Sequence, residues 1–221
     1  MLTRRNCRRH AGFTLIELLV AIVIMALMAV MSWRGIDGMT QTQTRTQERS
    51  NEILALQMGL AQWAADLDAL ESSVRMPGLE WDGRVLRLIR RGASATDDGL
   101  RVVAWSRRVV NGTGMWLRWQ SPALRNRGEL QEAWLQASRW AQNPDDALKR
   151  FEVAITPLAE WRLYYFRLNA WTNPLSTDTS APANTAIPEG VRVVLTLPPP
   201  AAMAGVITRD WVRPTLGGNK S

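Results

Sequence analysis

The stretch RRHAGFTLIELLVAIVIMALMAVMSWRG (Arg8–Gly35) decides how the rest of the chain is read. From Phe13 to Met31 it is apolar except for Thr14 and Glu17, and the helix formers Leu, Ala and Met dominate it. A helix of about 20 residues, rising ~1.5 Å per residue, crosses a bilayer's hydrocarbon core. Trp33 and Arg34 follow at once and suit the far interface, while Arg4, Arg5, Arg8 and Arg9 keep the N-terminal end cytoplasmic. The remainder then lies across the membrane. An ordinary secretory signal has an apolar region of roughly 7–15 residues closed by a small-residue cleavage site. This run is longer and has no convincing site at its end. As a plain anchor it would carry Glu17 at a pointless cost, about 2.5–3.5 kcal/mol for a central acid and less near the cytoplasmic edge. Glu17 therefore calls for a partner.

The chain has 221 residues, of which 46% are hydrophobic, which suits one membrane segment and one modest globular domain. Its formal charge of +7 falls to +3 without the four leader arginines, since residues 1–12 hold no acid, so no strongly basic surface is implied. Lys149 and Lys220 are the only lysines. Cys7 and His10 are the only residues of their types, and both precede Gly12. Downstream of Gly12 the Cys and His ligands of zinc sites, Cys/His and Ser/His/Asp catalysis and an intrachain disulfide are all excluded. Carboxylates, Lys and Arg remain, but a structural or interaction role fits better than an enzyme.

No proline occurs between Gly12 and Pro77, so one helix can occupy most of that span, with Gly35 and Gly38 as weak points and Pro77-Gly78 ending it. TQTQTRTQERSNE (40–52) has almost no apolar face and reads as a solvated stem. Ile53, Leu56, Leu60, Trp63, Leu67, Leu70 and Val74 then alternate in steps of three and four, forming one stripe able to pack on a sheet or another helix. Strands are predicted at 84–91, 100–110, 114–120, 151–158, 160–168 and 191–198, with a further short one at 205–212. A short amphipathic helix is predicted at 128–141. Residues 173–190 read as a long loop and the chain from Pro214 as a flexible tail. The fold class is α+β: a long N-terminal helix on antiparallel sheet.

Eleven tryptophans interleave with arginine (WLRW, EWRL), a pattern that single-stranded nucleic-acid binding can use. Trp116 and Trp119 lie three apart in a strand and so face opposite ways, which favours core packing; nucleic acid is not an expected partner. Asp97-Asp98 and Asp145-Asp146 could contribute to a calcium site, but each pair adjoins a turn signal that accounts for it, so no metal or other cofactor is expected.

GFTLIELLVAIVIMALMAV resembles the class III signal of type IV prepilins and type II secretion pseudopilins. The resemblance implies that a prepilin peptidase cuts after Gly12 and N-methylates Phe13, and that Glu17, fifth after the cut, serves subunit assembly. It also implies the pilin-like fold, with residues 1–12 as leader, 13–33 as membrane helix, 34–76 as its periplasmic continuation, 77–213 as a β-rich domain and 214–221 as tail. SWRGIDGM, LQMGLAQWAADL, GLRVVAWSRR, EWRLYYFRLNAWTNP and IPEGVRVVLTL are similar to the J-type minor pseudopilins, although the loop at 173–190 is long for that group. The implied protein is a structural subunit of the pseudopilus tip, anchored in the bacterial inner membrane with its C-terminal domain periplasmic. Its implied partners are the I-, K- and H-type minor pseudopilins and the major pseudopilin. A subunit that keeps this acid should have a neighbour to dock against, which places it just below the extreme tip. The alternative is a minor pilin of a type IV pilus or DNA-uptake system, and a more distant one is a membrane-anchored periplasmic enzyme.

Overall fold

A computed structural model describes residues 13–71, 76–92, 99–176 and 187–214. The chain divides into two compact units, Met1–Glu48 and Arg49–Ser221. One helix, α1 (Leu15–Asp68), contributes to both. In the first unit every described residue is exposed, and this part of α1 is long and apolar enough to cross a membrane. The stem is helical despite its polarity. Thr42, Thr44 and Thr46 donate their hydroxyls to the carbonyls of Gly38, Thr40 and Thr42 at 2.8–3.0 Å, so these hydroxyls are satisfied on the helix itself. The helix runs through Gly35 and Gly38 without a break.

The second unit packs the end of α1 with two antiparallel sheets. Sheet A is a meander in the order β1 (Leu79–Trp81), β2 (Val85–Arg91), β3 (Leu100–Val110), β4 (Thr113–Gln120), β5 (Glu152–Pro157). Sheet B has the order β7 (Ala170–Thr172), β6 (Glu160–Arg167), β8 (Gly190–Leu197), β9 (Gly205–Val212). α2 (Arg127–Gln142) and the short α3 (Asp146–Lys149) connect β4 to β5. The α+β arrangement read from the sequence is the one present. β1, β7 and α3 were not anticipated, because three or four residues are too few to establish a period.

Sheet A is covered on both faces. One face shares a core with α1 and sheet B, built on Leu56, Trp63, Leu67, Leu88, Trp105, Trp116, Val193 and Leu195. The other packs on α2 through Ile89, Val102, Leu117, Trp119, Ala137 and Trp140. Trp116 and Trp119 thus lie in different cores, as alternation requires, and a bulge between Trp116 and Leu117 adjusts the register to β5. Seven of the eleven tryptophans are buried. Trp63, Trp105 and Trp116 touch one another with ring centroids 4.6–5.9 Å apart, so these three rings build core.

Gly59 sets how closely α1 approaches β5. A Cβ there would lie 2.2 Å from Ile155 Cγ2. Gly59→Ala should therefore destabilise the fold by about 1–3 kcal/mol, outweighing the ~1 kcal/mol that alanine gains as a helix former. Denaturant titration should show this loss and its partial recovery in Gly59→Ala/Ile155→Ala. Tyr165 is buried with no partner for its hydroxyl among the described residues, and burial pushes its ionisation above the ordinary phenol range. Tyr165→Phe should leave the melting temperature unchanged or raised, by up to about 1 kcal/mol in stability, because only an unsatisfied group is removed.

Candidate functional site

Two acids on α1 define the chemistry of the chain. The first is Glu17, in the apolar run. Thr14 donates its backbone N–H at 3.0 Å and its hydroxyl at 2.8 Å to Glu17 Oε2, and the Glu17 N–H reaches Thr14 Oγ1 at 3.4 Å. This reciprocal pattern is a capping box at the start of the helix. It sets the carboxylate against the N–H groups and positive end of the helix dipole, which favours an anion there. Both Thr14 donors converge on Oε2, and Oε1 accepts nothing among the described residues. Phe13 is 85% exposed. Gly12 and the leader lie outside the described residues.

The second acid is Asp66, in the last turn of α1, where the helix dipole disfavours a negative charge. It is fully buried. Arg90 Nη1 (β2) and Arg118 Nη2 (β4) donate to its Oδ1 at 2.6 and 2.8 Å, joined by Gln62 Nε2 at 2.9 Å. Arg118 Nε and the indole N–H of Trp105 (β3) donate to Oδ2 at 2.7 and 2.9 Å. One carboxylate thus ties the helix to three adjacent strands. Two residues on, Asp68 accepts from the Trp211 indole in β9 at 2.7 Å, joining the same helix end to sheet B. Beyond the helix, Glu71 pairs with Arg91.

The stripe predicted on this part of α1 divides accordingly. Leu56, Trp63 and Leu67 are buried in the core shared with both sheets, while Ile53 and Leu60 are half-buried. The expected helix end is corrected: α1 stops at Asp68, well before Pro77-Gly78. Leu70 is not helical but forms an isolated antiparallel bridge with Arg90, because Asp66, Asp68 and Glu71 draw this segment onto strands β2 and β9. Val74 lies outside the described residues, as do Asp97 and Asp98. Asp145 caps α3 by accepting from the Leu148 N–H at 2.8 Å, and Asp146 pairs with Lys149. That is the turn chemistry weighed against calcium, and no cluster of three metal-ligating side chains occurs among the described residues.

Sequence reasoning missed Asp66 and its partners. The signal was present. Asp66 follows Trp63 by three positions and adjoins Leu67, which puts an acid inside an apolar stripe, and RLIRR and WLRW place arginines at positions whose neighbours are buried. The anchors of α2 were missed too. Arg87 bonds Ser138 and lies over the Trp134 ring at 4.9 Å, and Arg108 and the Trp140 indole share Glu152 at 2.7 Å.

The arrangement at Asp66 holds a helix on a sheet. Residues 7–33 match the family model of the prokaryotic N-terminal methylation motif, so the chain starts as prepilin-class proteins do. Over 198 residues it is also 29% identical to Type II secretion system protein J of Klebsiella pneumoniae, covering 87% of this chain and 91% of that one. The motif and the chain-long similarity together support a minor pseudopilin of the J type. Among the described residues one helix, near the N-terminus, is long and apolar enough to cross a membrane, which with this similarity fits a single-pass inner-membrane protein.

Asp66→Ala leaves two buried guanidinium groups without their carboxylate and should cost about 3–5 kcal/mol, with Asp66→Asn intermediate. Denaturant unfolding of the full chain in detergent measures both. A loss below 1 kcal/mol for Asp66→Ala would show that the network is not what seats the helix.

Proposed function

We propose that this chain is a minor subunit of the type II secretion pseudopilus that helps start its assembly just below the tip. Prepilin peptidase removes residues 1–12 after Gly12 and methylates the new N-terminus at Phe13. Residues 13–33 then hold the subunit in the inner membrane, N-terminus cytoplasmic, with residues 34–76 and the β-rich 77–213 in the periplasm. The I- and K-type subunits are its nearest partners, with the H-type and the major pseudopilin beyond them. The stripe Ile53, Leu56, Leu60, Trp63, Leu67 serves the chain's own core, leaving assembly to other surfaces.

One observation carries the reading: the way Glu17 is held. The capping box answers for the acid's presence at the helix start but uses only Oε2. Oε1 remains for the ammonium that cleavage creates on a neighbouring subunit, and opposite charges attract far more strongly at the edge of a low-dielectric layer than in water. Thr14 thus fixes the geometry, and the carboxylate's charge supplies the register between subunits. The similarity over most of a J-type protein favours secretion over the pilus and DNA-uptake alternative, and the core placement of the tryptophans favours it further.

The test separates charge from capping. A tagged full-length protein is recovered from native membranes as wild type, Glu17→Gln and Glu17→Ala. A glutamine oxygen still caps a helix but carries no charge. Both variants should recover the I- and K-type subunits several-fold less well than wild type, while mass spectrometry shows Phe13 as the methylated N-terminus in all three. Full recovery with Glu17→Gln would reduce Glu17 to a helix cap. Recovery of pilus subunits in place of pseudopilins would move the chain to the alternative.

A further inference from the structure

The end of sheet B where β8 begins and β9 finishes carries features that core packing does not require. The turn between β6 and β7 has Leu168 at φ 48° and Asn169 at φ 63°, between the paired residues Arg167 and Ala170. Asparagine tolerates that left-handed backbone, whereas leucine is disfavoured there. Leu168 is 75% exposed, so little burial offsets the strain. Beside the turn, the Phe166 and Trp171 rings lie 5.2 Å apart. Arg192 stacks over Trp171 at 4.3 Å and is itself held by Asp210 through two bonds of 2.7 and 2.6 Å. The indole is fixed in place before anything binds. Gly190 allows the closeness, since a Cβ there would sit 3.2 Å from Phe166 Cβ and 3.3 Å from the Trp171 ring.

Phe166, Trp171 and Gly190, with Glu189, Val212, Arg213 and Pro214, line a mostly apolar cleft of about 720 Å³. Val212 in its wall is 71% exposed. The backbones of Glu189 and Arg213 are paired, but neither side chain forms an ion pair among the described residues. The cleft therefore offers, beside a fixed ring, one acid and one base that have no ion-pair partner among the described residues.

Its place on the unit gives it a direction. Glu52 of α1 accepts from the Ala202 N–H, in the turn before β9, and Asp68 accepts from Trp211 near the end of β9. The helix rises ~24 Å between those acids, and an eight-residue strand covers a similar distance at ~3.4 Å per residue. β9 thus runs alongside α1 in the same direction, and the cleft sits where α1 finishes. Other pilin-type chains are the neighbours that the proposed pseudopilin role supplies. A subunit stacked further along the helix direction would meet this end.

We propose that the Phe166–Trp171–Val212 cleft, with Leu168 beside it, docks the next pilin-type subunit in the direction of α1. The occupant is an extended segment of a different chain, offering a large apolar side chain to the cleft, a basic residue to Glu189 and an acidic one to Arg213. This rests on the pseudopilin reading and adds to it the surface used.

The experiment places a photo-crosslinking phenylalanine at Leu168, at Val212 and, as a control, at Leu135 on the exposed side of α2 in the full-length protein in native membranes. Adducts to another prepilin-class subunit at 168 and 212, absent at 135, are expected. Leu168→Gly should leave the melting temperature unchanged or raised while reducing recovery of that subunit at least threefold, a combination that a purely structural leucine would not give. Adducts to a second copy of this chain, to a non-pilin protein, or none at either position would overturn the proposal. Co-purification of pilin-class subunits with the unsubstituted protein separates the two levels. If they co-purify and no crosslink forms, only the docking surface is wrong; if none co-purifies, the pseudopilin reading fails with it.

Discussion

Asp66 is the constraint on which the second unit depends. A carboxylate in the last turn of a helix opposes the helix dipole, and burial deprives it of water. Only cations and strong donors at short range make it tolerable, and Arg90, Arg118, Trp105 and Gln62 supply them from three strands and the helix itself. The energetic value of such a cluster against a wholly apolar core is small or negative. Its value lies in uniqueness. An apolar stripe can slide or rotate by a position with modest loss, whereas a carboxylate shared by strands β2, β3 and β4 has one acceptable seat.

The same helix carries Glu17 in its other half, and the two acids follow one physical logic. Each sits in an apolar stretch and is made acceptable by donors around it. Asp66 has a full complement within its own chain, and so it fixes internal structure. Among the described residues Glu17 has only the Thr14 donors, both on one oxygen, and its other oxygen is the one the proposed assembly contact uses. On the proposed role of Glu17, the difference between a structural and an assembly acid is a matter of how many lone pairs the fold leaves unused.

Much of this was legible from residues alone. The apolar run with its single acid marked the N-terminal helix, and the strand-like runs marked β2, β3, β4, β5, β6, β8 and β9 nearly to the residue. The helix end was not legible, because its termination follows from Asp68 meeting Trp211 and Glu71 meeting Arg91, partners remote in sequence. The network at Asp66 was readable only as an anomaly, an acid within a stripe. Identifying its partners required the registry of three strands. The strained turn at Leu168 was hidden for a different reason, since nothing in RLNAW distinguishes a leucine in a turn from one ending a strand.

The neighbour-to-neighbour order of sheet A has a consequence for how the protein comes into being. Each of its strands pairs with the next in sequence, although α2 and α3 intervene before β5. Contacts between near neighbours close short loops and form quickly. The ties from α1 are to residues made later: Arg90, then Trp105, then Arg118, and last Trp211. As the chain emerges from its N-terminus, Asp66 appears before any of them. Seating the helix on a sheet that already presents its guanidinium groups would spare the acid a buried, uncompensated state on the way to its place.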